Sequence, residues 1–260
     1  MTEQIVPTDD VTESGYVARP TRHRPPLSVA VIEQLTHDIV TERYQPGTAL
    51  PSAESLCETF RVSRTVIREA TTSLAEKGLV AARQGWGTIV LDPSQWSLLD
   101  PMVLDALFQR ADRLEYLDNL IEIRTTLECA MAARAARRIT PDATATLTRS
   151  FEQLESLLGQ PAEYNTADLE FHDAIHRIAG DRFGRAIVAS IQGKALSSPM
   201  YTGKPTRAEI EMTHLAHNRI YDAVIAGDAE EAATAMREHI TASWARRRPP
   251  ADESVSVVTP

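Results

Sequence analysis

The sequence is poor in cysteine, glycine and aromatic residues. Of its 260 residues, two are cysteines (Cys57 and Cys129), 11 are glycines, and 5% are aromatic. The isolated cysteines form no Cys-x-x-Cys pair, which argues against a disulfide framework and favours a reducing compartment. Scarce glycine, with plentiful alanine and leucine, indicates a mainly α protein.

Long apolar runs are also missing. We find no stretch long enough to cross a membrane and no signal-peptide pattern at the N-terminus, so we expect a cytoplasmic protein without a membrane partner. Residues 1–26 and 249–260 are rich in proline and small polar residues, and they are predicted to be a flexible arm and a disordered tail. Three arginines of the arm are expected to be solvated, with DNA-backbone contact as the alternative: Arg19, Arg22 and Arg24.

The charge is acidic overall but uneven. The net charge of −9 argues against a protein that is basic all over. Between Phe60 and Val90, however, five basic and two acidic residues give a local charge of +3. DNA affinity depends on the field at the contact surface, so the acidic remainder does not exclude DNA binding.

The first half of the chain has the pattern of three helices and a hairpin. The predicted helices cover about 27–44, 52–60 and 64–77. Two short apolar runs follow, 79–83 and 88–91, on either side of a glycine-containing turn. Three helices and a hairpin make a winged helix-turn-helix, which we place at residues 27–91.

The third of these helices has the features of a recognition helix. Ser63 is a suitable N-cap, and apolar residues at helical spacing are expected to pack inward: Val66, Ile67, Ala70 and Leu74. Arg64, Thr65 and Arg68 fall on the side left free, in the first turns. Residues there reach base edges and phosphates in helix-turn-helix proteins.

These segments resemble the DNA-binding domain of the GntR family of bacterial transcription regulators. The resemblance rests on the runs 46–52 (PGTALPS), 62–70 (VSRTVIREA), 78–80 (GLV) and 83–88 (RQGWGT). It implies DNA contacts from Arg64, Thr65 and Arg68 on the recognition helix, and from Gln84 and Gly85 on the wing.

Two residues depart from the family pattern near that helix. Many members have Glu-Arg after the Pro-Ser, and the arginine contacts DNA, whereas this chain has Ala53-Glu54. The usual glycine of the helix–helix turn is Arg61, so a positive φ or a slightly different turn is expected there. We therefore expect a DNA preference of its own.

The second half is predicted to be an all-helical antiparallel bundle, which we place at residues 112–248. Asp92-Pro93-Ser94 marks the boundary, and 92–111 reads as a linker with a short helix. The predicted bundle helices are 112–138, 141–158, 162–179, 182–197, 206–226 and 229–246. Glycine–aspartate pairs at 180–181 and 227–228 end one helix and cap the next.

Four side chains of the bundle have the spacing of a metal site. Asp168 and His172 are four residues apart on one helix face. His217 and His239 lie about eleven residues before and after the 227–228 turn, so an antiparallel hairpin places them at equal height. One carboxylate and three imidazoles suit Zn²⁺, Ni²⁺ or a similar divalent ion. Spacing alone leaves His176 and His214 as alternatives.

The bundle also resembles the FCD effector domain of the FadR subfamily. The resemblance rests on the run 168–172 (DLEFH), on Ala179-Gly180-Asp181, and on His217 followed twenty-two residues later by His239. It implies metal ligands at Asp168, His172, His217 and His239. His176 and His214 match no ligand position and are expected to be structural or to support the ligands.

Arg124 is the cation expected beside this site. It lies in a largely apolar helix, where an arginine needs a partner. It is predicted either to pair with Glu128 or Asp168, or to bind an effector carboxylate as the resemblance implies.

Together the two halves predict a ligand-responsive regulator and no enzyme. We expect a homodimeric repressor on a palindromic operator, released or re-aimed by a small carboxylate, such as a sugar acid or hydroxy acid, bound beside the metal. The alternatives are a regulator for which the ion itself is the signal, and a helical metalloenzyme with a DNA-binding head.

Overall fold

The computed structural model describes residues 27–195 and 206–248. Within these ranges it has ten α-helices, one 3₁₀ turn (Pro93–Gln95) and one two-stranded hairpin. The helices are α1 Leu27–Val40, α2 Ala53–Phe60, α3 Arg64–Glu76, α4 Pro101–Leu107, α5 Arg113–Arg137, α6 Pro141–Ser156, α7 Pro161–Ala179, α8 Arg182–Ala195, α9 Arg207–Ile225 and α10 Ala229–Arg247. The predicted mainly α class is confirmed.

Three predictions fall outside the described residues. They are the N-terminal arm with its arginines, the C-terminal tail, and the last two residues of the predicted helix 182–197. None of the helices in the described ranges combines the length and apolarity that a membrane crossing requires.

The first three helices and the hairpin form the predicted winged helix-turn-helix. Strands β1 (Val80–Arg83) and β2 (Gly87–Val90) pair antiparallel, with Val80 opposite Val90. The core of this head takes apolar residues from every helix and from both strands, including Leu35, Ile39, Leu56, Ile67, Leu74, Val80 and Val90.

Capping explains the sharp turn between α2 and α3. Ser52 and Ser63 cap the two helices by accepting from the backbone N–H groups of Ser55 and Val66. Arg61 ends α2 in the left-handed conformation, with φ 54° and ψ 45°. The positive φ anticipated at this non-glycine residue is therefore present, and the turn keeps the geometry that glycine usually provides.

Gly78 fixes the path of the chain that leaves the head. Its φ is +71°, and a Cβ on it would lie 2.1 Å from the carbonyl oxygen of Gln95. The N–H of Ser97 donates to the carbonyl of Lys77 at 2.9 Å, so this segment lies directly against the end of α3. Only glycine allows both the backbone angle and the close approach.

Helices α5 to α10 form the predicted bundle around a second hydrophobic core. The long helix α5 packs against α7, α9 and α10, and its buried residues include Leu117 and Met131. Gly227, with φ +74°, reverses the chain between α9 and α10. The two helices consequently form an antiparallel hairpin.

Helix α4 belongs to both cores. Val103, Ala106 and Leu107 pack into the core of the head, whereas Leu104 and Phe108 pack into the core of the bundle. The sequence placed this short helix in a linker. The domain boundaries remain a prediction. Helix α4, which lies in the predicted linker 92–111, makes apolar contacts with the core of the head and with the core of the bundle.

The start of α4 also makes polar contacts with α3 and with α8. Asp100 caps α4, and its Oδ2 lies 2.7 Å from Nζ of Lys77 at the end of α3. The neighbouring carbonyl of Leu99 accepts from the Ser190 hydroxyl of α8 at 2.9 Å. The corner Leu99-Asp100 thus connects the recognition helix with a helix of the bundle.

Candidate functional site

Four side chains from three helices converge inside the bundle. Asp168 and His172 lie one turn apart on α7, and His217 of α9 and His239 of α10 face each other across the hairpin. Nε2 of His217 lies 3.4 Å from Nε2 of His172 and 3.2 Å from Nε2 of His239. The same atom lies 2.9 Å from Oδ1 of Asp168. The structure therefore brings together the four residues predicted from spacing and resemblance, and their role as metal ligands stays a prediction.

The donor set fits a divalent transition metal. Metal–nitrogen bonds of 2.0–2.1 Å at tetrahedral angles place neighbouring ligand atoms about 3.3 Å apart, close to the two Nε2 separations. Oδ1 of Asp168 is buried and, among the described residues, has no hydrogen-bond partner despite the short distance to His217. Three imidazole nitrogens and an unsatisfied carboxylate oxygen aimed at one point are better satisfied by a cation than by each other.

Glu128 of α5 orients one of these ligands and was not assigned that role from the sequence. Its carboxylate is fully buried. Oε2 accepts from Nδ1–H of His172 at 2.8 Å and lies 3.2 Å from Nε2 of His176, while Oε1 accepts from Nε of Arg124 at 2.8 Å. A proton on Nδ1 leaves the Nε2 lone pair of His172 directed into the cluster.

Tyr164 supports a second ligand. Its hydroxyl lies 3.2 Å from Nδ1 of His217, on the side of the ring that faces away from the cluster. Tyr164, Asp168 and His172 occupy successive turns of α7, and this i, i+4, i+8 pattern was the available sequence signal. Burial, and secondarily the charge of Asp168, raise the pKa of the Tyr164 phenol, so it is neutral.

The charge states of three of the four predicted ligands suit metal binding. Burial by itself would lower the pKa of the fourth, His172, but the hydrogen bond to Glu128 and the charge of Glu128 raise it. Burial lowers the pKa of His217 and of His239, which keeps both imidazoles neutral at neutral pH. Burial by itself would raise the pKa of Asp168, but the neighbouring imidazoles, His217 first, lower it and keep the carboxylate ionised. Neutral imidazoles and an ionised carboxylate are the forms that bind metal.

The other two histidines of the bundle, His176 and His214, do not join the cluster. His176 contacts Glu128, as described above, and so supports the carboxylate that orients His172. His214 is stacked on Phe151, with 5.1 Å between ring centroids. This placement agrees with the expectation that His176 and His214 are structural or support the ligands.

A narrow cavity adjoins the cluster. It has a volume of about 30 Å³, and its polar lining consists of Arg124, Asp168, Gln192, His239, Ser243 and Arg247. Arg124 pairs with Glu128, which is the first alternative raised for it, and it also borders the cavity beside Asp168. Its binding of an effector carboxylate stays a prediction. The space admits about two water molecules, far less than the 300–1,000 Å³ of a typical ligand site.

The five predicted DNA-contacting residues are all exposed on the head. Arg64, Thr65 and Arg68 are exposed in the first turns of α3, and Gln84 and Gly85 are exposed at the tip of the hairpin. This is the arrangement that a recognition helix and a wing require. The contacts themselves stay predictions.

Two features of this face were not foreseen. Arg64 forms an ion pair with Glu54 of α2. At the wing tip, Trp86 is 67% exposed, and the guanidinium of Arg83 lies 5.4 Å from the centre of its ring. The position of Trp86 in a four-residue turn was a sequence signal for its exposure. The Glu54–Arg64 pair had no such signal, because it depends on how α2 and α3 cross.

Comparison with known protein families gives two matches along the chain. Residues 27–90 match the family described as bacterial regulatory proteins, gntR family, and residues 119–242 match the FCD domain. The first range coincides with the winged head, and the second contains all four clustered side chains.

Curated relatives match over most of their length. The transcriptional regulator LutR of Bacillus subtilis is 27% identical over 76% of this chain and 90% of its own. The galactonate operon transcriptional repressor of Escherichia coli is 26% identical over 83% of this chain and 94% of its own. The repressor NanR of an Enterobacter species is 28% identical, with coverage of 88% and 90%.

A solved structure has the same fold. It is the Listeria monocytogenes protein Lar, with a TM-score of 0.59 and 19% identity, covering 87% of this chain and 98% of that one.

Proposed function

Because the chain belongs to the gntR family of bacterial transcription regulators and carries an FCD domain behind its DNA-binding head, we propose that it is a repressor released by a small organic acid. Its families and relatives are regulators, so the metalloenzyme alternative is rejected. The observation that carries the proposal is the convergence of Asp168, His172, His217 and His239 beside a cavity lined by Arg124.

The proposed effector is a carboxylate that also carries a hydroxyl group, such as a sugar acid. A Zn²⁺ or Ni²⁺ ion held by the four ligands would supply a Lewis-acidic centre that polarises and orients an effector oxygen. Arg124, held in place by Glu128, offers a guanidinium to the acid group. One relative is named for the galactonate operon, and galactonate is a sugar acid, which supports this class.

The small size of the cavity underlies our proposal for how the effector releases DNA. An acid of this class does not fit into about 30 Å³, so its binding must displace a wall. Gln192 of α8 lines the cavity, and Ser190 of the same helix is bonded to the Leu99-Asp100 corner. A shift of α8 is passed through that corner to Lys77 and α3. The effector acts by binding the shifted arrangement more tightly than the DNA-bound one.

We further propose that the repressor is a cytoplasmic homodimer on a palindromic operator. Two copies present two recognition helices, which reach successive major-groove faces when the half-sites lie about one helical turn apart. Light scattering with and without a selected duplex measures the stoichiometry, and one monomer per duplex would contradict this part.

The decisive experiment combines DNA binding with a ligand screen. Wild-type protein is first used to enrich duplexes from a random library, and failure to enrich any would reject the function. Organic acids are then screened by thermal shift on metal-loaded protein, since a ligand of the folded state raises the melting temperature. Acids that raise it should weaken binding to the selected duplex.

Matched variants connect this response to the site. His217→Ala should abolish the thermal shift caused by the metal, whereas His214→Ala, on the same helix but outside the cluster, should keep it. Arg124→Ala should retain the metal and lose the shift caused by the acid. A full acid shift in Arg124→Ala would contradict the carboxylate-binding role.

The small cavity favours one second candidate, a regulator for which the ion is the signal. In that case DNA affinity follows the metal concentration alone, and no acid is needed. Titrating metal in the absence of organic acids separates the two functions.

A further inference from the structure

One face of the long helix α5 is exposed along its whole length. The exposed residues recur at helical spacing, and they include Asn119, Ile123, Thr126, Ala130 and Arg137. Near the centre of this face, Ile123 is 43% exposed, and Thr126 and Ala130 are small. A large apolar side chain beside small ones allows a second helix to approach closely and to bury that side chain.

The charges on this face are separated along the helix. Glu115 and Glu122 lie in its N-terminal half, whereas Arg134 and Arg137 lie in its C-terminal half. None of the ion pairs among the described residues includes Glu115, Glu122 or Arg137, and Arg134 pairs with Asp181 only at 3.8 Å. The face is therefore acidic at one end and basic at the other, with little neutralisation from its own chain.

Such a face is complementary to a second copy of itself. When two copies of α5 pack antiparallel, with Thr126 of one against Ala130 of the other, the acidic half of each meets the basic half of the other. The partner's Arg137 then lies between Glu115 and Glu122, about one turn from each. A two-fold axis repeats the same contacts at the other end, as an interface between identical subunits requires.

A second exposed apolar pair, on α9, lacks this property. Met212 and Leu215 are 49% and 69% exposed. Both arginines of α9 are neutralised within the chain, since Arg207 pairs with Glu211 of the same helix and Arg219 pairs with two carboxylates of α10. The α9 face therefore has little charge with which to match a second copy.

We propose that the exposed face of α5 is the interface of the homodimer, with α5 of one protomer packed antiparallel on α5 of its partner. The inference rests on the homodimer of the proposed function and gives that dimer a two-fold axis near Thr126 and Ala130. Burial of the two Ile123 side chains supplies apolar contact. The charges of Glu122 and Arg137 select the antiparallel direction, because a parallel pair would place like charges together.

The apolar centre is tested by one substitution and a matched control. Sedimentation velocity on the full chain measures the dissociation constant of the dimer. Each substitution acts twice in a two-fold interface, so Ile123→Glu should raise that constant about 100-fold. Leu215→Glu places the same charge on the exposed face of α9 and should leave the constant unchanged. Circular dichroism checks that both variants keep the helical content of wild type.

Charge reversal tests the antiparallel direction. Glu122→Arg sets an arginine beside the partner's Arg137, and Arg137→Glu sets carboxylates beside each other, so each variant should weaken the dimer about tenfold. The double variant restores opposite charges and should return the dissociation constant to within about threefold of wild type. A local loss of α5 stability would not be repaired in this way.

Several results would overturn the inference while leaving the proposed regulator intact. A dimer that folded Ile123→Glu leaves unchanged, or that Leu215→Glu dissociates, would place the interface elsewhere. Charge reversals without effect, or without recovery in the double variant, would reject the antiparallel pairing. In each case, enrichment of duplexes by wild type still supports the DNA-binding function. A monomeric wild type would reject the proposed homodimer together with this interface.

Discussion

Glu128 is the residue on which the inner site depends most. It holds His172 and Arg124 at once, and it is fully buried. We predict that Glu128→Gln weakens metal affinity by about 10-fold to 100-fold, because an amide is a poorer acceptor for the ligand imidazole. Competition with a chromophoric chelator measures the change. Glu122→Gln, an exposed position on the same helix, should retain wild-type affinity, and an unchanged affinity in folded Glu128→Gln would contradict the prediction.

The ligand cluster was predictable from the sequence, but its supports were not. Two residues four apart on a helix share a face, and two residues equidistant from a turn face each other, so spacing indicated that Asp168, His172, His217 and His239 can converge. Spacing left His176 and His214 as alternatives, and the resemblance to the FCD domain selected the four. Glu128 lies 44 residues before His172. No local pattern connects them, because their contact depends on how α5 packs on α7.

At the scale of the elements, Gly78 connects the recognition helix to the segment that follows the wing. We predict that Gly78→Ala destabilises the protein by about 1–3 kcal/mol more than Gly85→Ala, as judged by urea unfolding. Both glycines have positive φ, but only the Gly78 methyl would collide with backbone, and no atom of the described residues lies within 4 Å of a Cβ at Gly85. Equal effects would show that the close approach has no energetic role.

The wing offers a fluorescent reporter of DNA binding. Trp86 is 67% exposed, whereas Trp96 and Trp244 are 6% and 8% exposed. Acrylamide should therefore quench mainly Trp86, and a selected duplex should protect it if the wing tip meets the DNA. Trp86→Phe removes the quenchable emission and serves as the control. Unchanged quenching in a saturated complex would place the wing tip away from the DNA.

Element boundaries were well predicted except where tertiary contacts decide them. Helix α1 ends at Val40 rather than near Tyr44. Glu42 has φ 63°, and Arg110 donates to the carbonyl of Val40 and to the carboxylate of Glu42. A partner about 70 residues away terminates the helix, so no local signal was available.

For the whole molecule, communication between the domains is the property to test. We predict that Ser190→Ala keeps the thermal shift caused by an effective acid but reduces its effect on DNA affinity by about threefold to fivefold, the equivalent of one hydrogen bond of about 1 kcal/mol. Fluorescence anisotropy on the selected duplex, with and without the acid, measures this. Ser156→Ala removes a hydroxyl–carbonyl bond confined to α6 and its end, and it should not alter the response.

The two apolar faces of α4 have a consequence for how such proteins recombine. Val103 and Leu107 complete one core, and Leu104 completes the other. A DNA-binding head exchanged between relatives at the Asp92-Pro93 boundary would meet a foreign α4, and its core would be filled by side chains selected for another head. Chimaeras joined after α4 would transfer the mismatch to the bundle. Viable exchanges of specificity are therefore expected to need compensating changes in this one helix.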